Sequence, residues 1–445
     1  MASFLLALCQ QALAQIDNDV DALNQQVQNL IIQHKFREAM PIATEAVNDS
    51  EALAAPDQVK LALSLIDLAV LDQDVGDYSN SVPLLQRALE IYDKNLGPDD
   101  PQIATILNVL AVSYHKIGDY TNAEPLLIRA LAIREKALGP YQLGTAQDFN
   151  NLATLYESMG EYSKAEPFSI QALNIRQKAL GPEHPDTATS LDDLAAICGH
   201  MGEYAKAELL FKLALNIREK ALGPEHPETA RCVNNLASLY VDMGDYAKAE
   251  SFFQRALNIR EKALGPEHPD TGNSLQDLAA VYCDIGDYAK AEPLIQRALS
   301  IDEKVLGPDH PKTAEALGGL AMLYEQKGEY AKAEPLYQRA LNIDEKTLGP
   351  EHPGTATCLS NLGHLYYQMG DYTKAEPLFQ RALNIRVKAL GPENPLTAAS
   401  LNNLAEPYEE KGEYAKAEPL LQRALNIDEK TLGRSIRIPP QVSTI

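Results

Sequence analysis

The chain has no tryptophan, and aromatic residues make up only 6% of its 445 positions. Cysteine is scarce: Cys9, Cys198, Cys232, Cys283 and Cys358 form neither a CxxC pair nor a zinc-ligand spacing. An odd, scattered set argues against a disulfide framework. Positive charge is short as well, with 39 Lys and Arg against 62 Asp and Glu, a formal net charge of −23. A nucleic-acid backbone is held by clustered Lys and Arg, so no nucleic-acid partner is expected. That balance favours solubility and, where charge matters, basic partners. No apolar run approaches the ~20 residues of a membrane-spanning helix. A Gly-rich phosphate loop, GxSxG and HExxH are all missing, so the chain is expected to be non-enzymatic, with no cofactor and no metal.

What is present is repetition. Leu-Gly begins at Leu96, Leu138, Leu180, Leu222, Leu264, Leu306, Leu348, Leu390 and Leu432, always 42 residues after the last. Gly-Asp/Glu-Tyr keeps the same step from Gly76 to Gly412. A fixed period in this range marks stacked supersecondary units, none able to bury its apolar face alone. The expected fold is all-α, about ten antiparallel helix pairs.

The unit beginning at Leu222 shows the local reasons. Gly223 suits the left-handed residue that ends a helix. His226 falls at the N-cap of the next one, and Pro227 at its first position, where a missing N–H costs nothing. Asp100 and Asn394 hold that cap elsewhere with better capping side chains. Helix A is predicted to run to about Met243, with Val233, Leu236, Ala237, Leu239 and Tyr240 inward. Helix B is predicted from about Tyr246 to Ala263, with Ala249, Phe253, Ala256, Leu257 and Ile259 inward. Pro83, Pro125, Pro167, Pro293, Pro335, Pro377 and Pro419 fall just inside helix B, where a proline loses at most one bond.

The ends depart from the pattern. Residues 1–14, MASFLLALCQQALA, read either as a signal-peptide remnant ending at Ala12-Leu13-Ala14 or as an apolar capping helix. The compartment therefore stays open between cytoplasm and export. A degenerate first unit covers 15–55, with Ile16, Val20, Leu23, Val27 and Leu30 on one helical face. Regular units run from 56 to 433. In the last, 394–433, Pro407 sits in the middle of helix A, predicting a kink or fraying. A tail occupies 434–445 and offers no covering helix, so self-association through the C-terminal unit is a further expectation. Ser169 replaces the Phe or Tyr of other units, which predicts looser packing. Cys198 stands in for a tyrosine and reads as a core filler.

Leu236-Ala237, Tyr240, Gly244, Tyr246, Ala249, Phe253 and Ala256 match the spaced signature of the tetratricopeptide repeat (TPR). With LGPEHPxTAxSLNNLAxLY and GDYAKAEPLYQRALNIREK, the chain resembles the 42-residue class seen in kinesin light chains. That resemblance implies a right-handed superhelical solenoid whose A helices line a concave groove for peptides or protein segments. Alternatives are a self-assembling structural solenoid, a repeat-bearing regulatory part of a larger protein, and a cargo adaptor like kinesin light chain.

Comparing units within the chain separates scaffold from specificity. One stripe on helix A varies most, and the partner-binding candidates on it are Asn108, Gln147, Asn150, Thr154, Asp192, Arg231, Asn234, Ser238, Asn273, Gln276, Glu315, Glu325, His364, Tyr367 and Asn402. Their spacing puts them on one helix face. Asparagine and glutamine can pair with both N–H and C=O of an extended peptide. Arg231 is the single basic residue among them, so the partner is expected to be a neutral or basic protein or peptide rather than an acidic one. His184, His226, His268, His310 and His352 come one per loop and lack converging ligands, which points to capping rather than metal binding. The Arg-Glu-Lys and Asp-Glu-Lys ends of helix B read as exposed ion pairs worth little each.

Overall fold

The computed structural model describes residues 19–32, 36–52, 58–74 and 77–432. Among these, all regular structure is α-helical, twenty helices with no strand. An irregular pair, α1 (19–32) and α2 (Phe36–Ala52), comes first. Nine pairs of an A and a B helix follow. They are α3 (Gln58–Asp74) with α4 (Tyr78–Asn95), α5 (Pro101–Lys116) with α6 (Tyr120–Leu138), and α7 (Leu143–Ser158) with α8 (Tyr162–Leu180). Next come α9 (Pro185–His200) with α10 (Tyr204–Ala221), α11 (Pro227–Asp242) with α12 (Tyr246–Ala263), and α13 (Pro269–Asp284) with α14 (Tyr288–Val305). The last are α15 (Pro311–Gln326) with α16 (Tyr330–Thr347), α17 (Pro353–Gln368) with α18 (Tyr372–Leu390), and α19 (Pro395–Glu410) with α20 (Tyr414–Leu432).

The chain divides into two compact units, Met1–Ser274 and Leu275–Ile445, the division falling inside α13. In each, A packs on its own B, and B packs on the A helix of the next pair. Successive A helices also touch directly, α3 with α5, α5 with α7 and α9 with α11 in the first unit, α15 with α17 and α17 with α19 in the second. The predicted inward set supplies this packing: Leu236, Ala237, Tyr240, Ala249, Phe253 and Ala256 are all buried. Alanines where helices cross let the axes approach, and the aromatic rings fill what remains.

Helix ends follow the sequence closely. The Nδ1 atoms of His184, His226, His268, His310 and His352 accept the backbone N–H two residues on, at 2.9–3.2 Å. Asn394 Oδ1 does the same at 2.8 Å. At the start of helix B, Asp245 caps through Lys248 N–H at 3.2 Å, whereas Glu203 in the same place makes no side-chain cap bond. The extra methylene carries the carboxylate past the N–H it would need to meet. Gly223 takes φ 96° and Gly244 φ 75°, the left-handed region that stops each helix.

α19 runs through Pro407 to Glu410, and Lys411 N–H bonds the Pro407 carbonyl at 3.2 Å, so of the kink or fraying expected there the fraying is not seen. Pro407 lacks the N–H that would bond the Asn403 carbonyl, so one helical bond is lost at this point and the ladder resumes beyond it. Ser169 is buried and its hydroxyl has no hydrogen-bond partner among the described residues, while the ring of the neighbouring Phe168 stacks on Tyr156 at 5.6 Å and on Phe149 at 6.2 Å. Cys198, Cys232 and Cys283 are buried free thiols and Cys358 a half-buried one. In the first pair, Val20 and Val27 are buried as expected. Residues 1–14, Ile16 and the tail 434–445, for which the sequence raised expectations, lie outside the described residues.

Candidate functional site

The A-helix stripe contains three kinds of position. Gln147, Thr154, Ser238, Glu315, His364 and Asn402 are exposed. Asn150, Arg231, Asn234, Asn273, Gln276, Glu325 and Tyr367 are half-buried. Asn108 and Asp192 are buried, which corrects the outward face expected of them. They hold the same repeat position as Asn150, Asn234, Gln276 and Asn402 but turn toward neighbouring helices. Asn108 donates to the Ala104 carbonyl at 2.9 Å and to Asp148 Oδ1 at 2.6 Å, and accepts from Asn151 at 2.8 Å.

Arg231 is compensated on the spot, with Nε 3.2 Å from Glu228 and Nη2 3.6 Å from Asp192. It therefore leaves little positive field on the stripe. Gln147 is tied to Asn151 at 2.9 Å and accepts from Arg176 at 3.2 Å. Asn150 Oδ1 is buried with no hydrogen-bond partner among the described residues.

In the second unit the stripe opens into a hollow of about 430 Å³, lined by Met322, Glu325, Gln326, Tyr330, Tyr337, Asn361, His364 and Gln368. Glu325 forms its inner end, with a side chain only 9% exposed. The buried Tyr337 hydroxyl donates to one of its oxygens at 2.8 Å, and His364 Nδ1 lies 2.6 Å from the other. The hydrogen bond to Glu325 holds His364 above the ordinary histidine value, with burial acting against it and the charges of Glu325 and Glu406 adding to it. Burial and the Glu325 charge push the Tyr337 hydroxyl up. Tyr330, Tyr337, Asn361 and Gln368 were beyond reach of a one-helix periodicity. They arrive from helix B and from the flank of α17, and only stacking brings them to Met322.

The ends of helix B also differ from expectation. Arg218, Arg260, Asp302 and Asp344, which open Arg-Glu-Lys or Asp-Glu-Lys triplets, are buried rather than exposed, as are Arg176 and Arg386 at the same repeat position. They lie on the face of B that packs against the following A helix, reaching the residue fourteen positions on. Arg134 meets Asp148 at 2.9 Å, Arg176 meets Ser190 at 2.7 Å, and Arg386 meets Ser400 at 2.7 Å. The exposed pairs are made by their neighbours, as in Arg381–Glu345 at 2.6 Å and Lys388–Glu351 at 3.0 Å. Glu166, Cys198 and Glu203 bring metal-ligand atom types together, but the Lys206 ammonium stands at 2.7 Å and 3.0 Å from the two carboxylates.

No helix is long and apolar enough to cross a membrane among the described residues. The tetratricopeptide repeat profile matches in overlapping segments, 60–136, 102–178, 149–220, 194–262, 232–304, 277–346, 314–386 and 359–430. A Rap protein complexed with competence and sporulation factor is similar in fold, with TM-score 0.53 at 16% identity, covering 94% of this chain and 99% of that one. BtubC (BKLC) from P. vanneervenii is 29% identical, covering 53% of this chain and 92% of that one, with TM-score 0.41. The nearly identical TPR-like repeats assigned to a Podosopora anserina kinesin light chain are 28% identical, covering 46% and 98%, with TM-score 0.39. No curated protein matches.

Proposed function

The chain belongs to the tetratricopeptide repeat family, and from that premise we propose that it is a non-enzymatic interaction scaffold holding an extended protein segment along its A helices. The observation that carries this reading is the set of exposed and half-buried polar side chains on A helices of the first unit, Gln147 and Asn150 on α7 and Asn234 and Ser238 on α11. Amide side chains offer a donor and an acceptor together, so such a set can fix a peptide backbone whatever its sequence. The set carries little net positive charge, because Arg231 is already paired, and a neutral or basic segment fits it better than an acidic one.

The test is affinity capture with the array and with a control carrying alanine at Asn150, Asn234, Gln276 and Asn402. Circular dichroism establishes that the control is folded. The array is expected to retain a partner that the control loses. Equal capture by both proteins places the contact elsewhere and ends the groove reading.

A further inference from the structure

The hollow between α15 and α17 specifies what one stretch of that groove selects, and this inference rests on the groove reading. Met322, 43% exposed, and Tyr330 form its apolar wall, and the Glu325 carboxylate closes its inner end. We propose that this hollow receives one cationic side chain of the partner, an arginine, which takes Glu325 over from His364. Long basic side chains lay their methylene stems on apolar surface while the charged head finds an acid. A guanidinium also matches a carboxylate and an aromatic face better than a compact, strongly hydrated ammonium does.

Charge complementarity selects this occupant. Glu325 faces the hollow from α15 and Glu406 adds its charge from α19. Lys327, two residues after Glu325 in the chain, is already held by Glu292 at 2.8 Å and Glu329 at 3.1 Å. An acidic side chain would meet two carboxylates, and an apolar one that displaced His364 would leave the Glu325 charge to the neutral Tyr337 hydroxyl. A carboxylate offers about four lone-pair sites, so Glu325 can keep the Tyr337 hydroxyl while accepting a guanidinium.

His364 makes the exchange depend on pH. It is faced by Glu325 from α15, by Glu406 from α19, by the Gln368 amide at 3.4 Å and the Tyr367 ring on its own helix, and by Tyr337 of α16 through the shared carboxylate. Protonated, it competes for Glu325 and repels the incoming cation. Neutral, it gives way.

The experiment is isothermal titration of the whole array with a short neutral peptide carrying one arginine, and with the same peptide carrying citrulline, which has the shape without the charge. At about pH 8 the arginine peptide should bind about tenfold tighter or more, as a charge-assisted bond to a buried acid implies. Toward about pH 5 that preference should shrink as His364 charges. Glu325→Gln should remove the preference, and His364→Gln should keep it while abolishing its pH dependence. Met322→Trp, at an exposed position that leaves folding intact, should block the hollow. Equal binding of the two peptides, or arginine binding indifferent to Glu325→Gln and Met322→Trp, overturns the proposal. If a captured partner ignores these changes but is lost from the Asn150, Asn234, Gln276 and Asn402 control, the groove reading stands and the hollow alone is wrong.

Discussion

Repeats that share one backbone bury opposite charges at one position. In α10 the position holds Arg218, 1% exposed, with a guanidinium against Asp192, Cys232 and, at 2.8 Å, the Thr189 hydroxyl. In α14 it holds Asp302, fully buried, whose nearest donor is the Gln276 amide at 3.4 Å and whose second oxygen has no hydrogen-bond partner. Fourteen residues on, where Arg176, Arg260 and Arg386 find serines, Asp302 comes to Ala316. Asp344, a repeat later, accepts the Cys358 thiol at 3.1 Å. The alanine and leucine positions fix how helices stack and leave a polar slot between B and the next A. That slot accepts either sign of charge, but only the long, five-donor arginine reaches enough partners to be satisfied in it. The difference teaches that repeat geometry is insensitive to this residue while local stability is not.

The sharpest break of that contrast is Arg218→Met. Removing the guanidinium leaves the Asp192 carboxylate buried, with Arg231 at 3.6 Å as its remaining cation. Stranding one member of a buried pair costs about 3–5 kcal/mol, so urea unfolding of the array should show a loss of that size. Arg218→Met combined with Asp192→Leu should recover most of it, because no charge is then left uncompensated. A single-mutant loss below about 1 kcal/mol would mean the pair behaves as if exposed.

Much of the scaffold was legible because its causes are local and repeated. Helix pairs, caps and core follow from glycine, proline, histidine and the apolar spacing, and Tyr246–Ala263 is the helix the sequence predicts. The buried arginines were hidden by their neighbours, since a triplet of three charged residues reads as surface. A signal was present all the same. Arg134 is followed fourteen residues on by Asp148, Arg176 by Ser190, Arg260 by Ser274, whereas Asp302 is followed by Ala316. Asn108 and Asp192 were misplaced for a related reason. Periodicity ranks positions by angle around one helix, and a neighbouring helix decides how far round solvent reaches.

A second contrast separates the two charges by pH. Burial pushes the Asp302 carboxyl up to about 6 from an ordinary 3.8. The folded chain thus holds this proton over a range where the unfolded chain has lost it. Its stabilising share is complete below pH 3.8 and is lost as pH rises through 6. Asp302→Asn should accordingly be more stable than the parent at about pH 7 by about 1–3 kcal/mol, and nearly level with it at about pH 4. Reading the difference between the two proteins cancels carboxylates that titrate the other way, such as Glu292, which its hydrogen bond to Lys327 holds below the usual range. An advantage of equal size at both pH values would show that the proton is not what changed.

The smallest change asks whether the slot or its occupant is at fault. A serine hydroxyl accepts from the guanidinium at 190, 274 and 400, at 2.7, 2.5 and 2.7 Å. The same hydroxyl can donate to a carboxylate, because it carries one O–H and two lone pairs. Ala316→Ser puts that group opposite Asp302, doing what the Cys358 thiol does for Asp344. A net gain of about 0.5–1 kcal/mol is expected, the usual worth of one buried hydrogen bond. Because the new bond favours the ionised form, it should also lower the Asp302 pKa and shrink the advantage of Asp302→Asn at neutral pH. The four proteins make a double-mutant cycle, and a coupling indistinguishable from zero would show that residue 316 does not serve Asp302. Coupling of the expected sign would place the weakness in the alanine, with the aspartate a tolerable occupant once something donates to it.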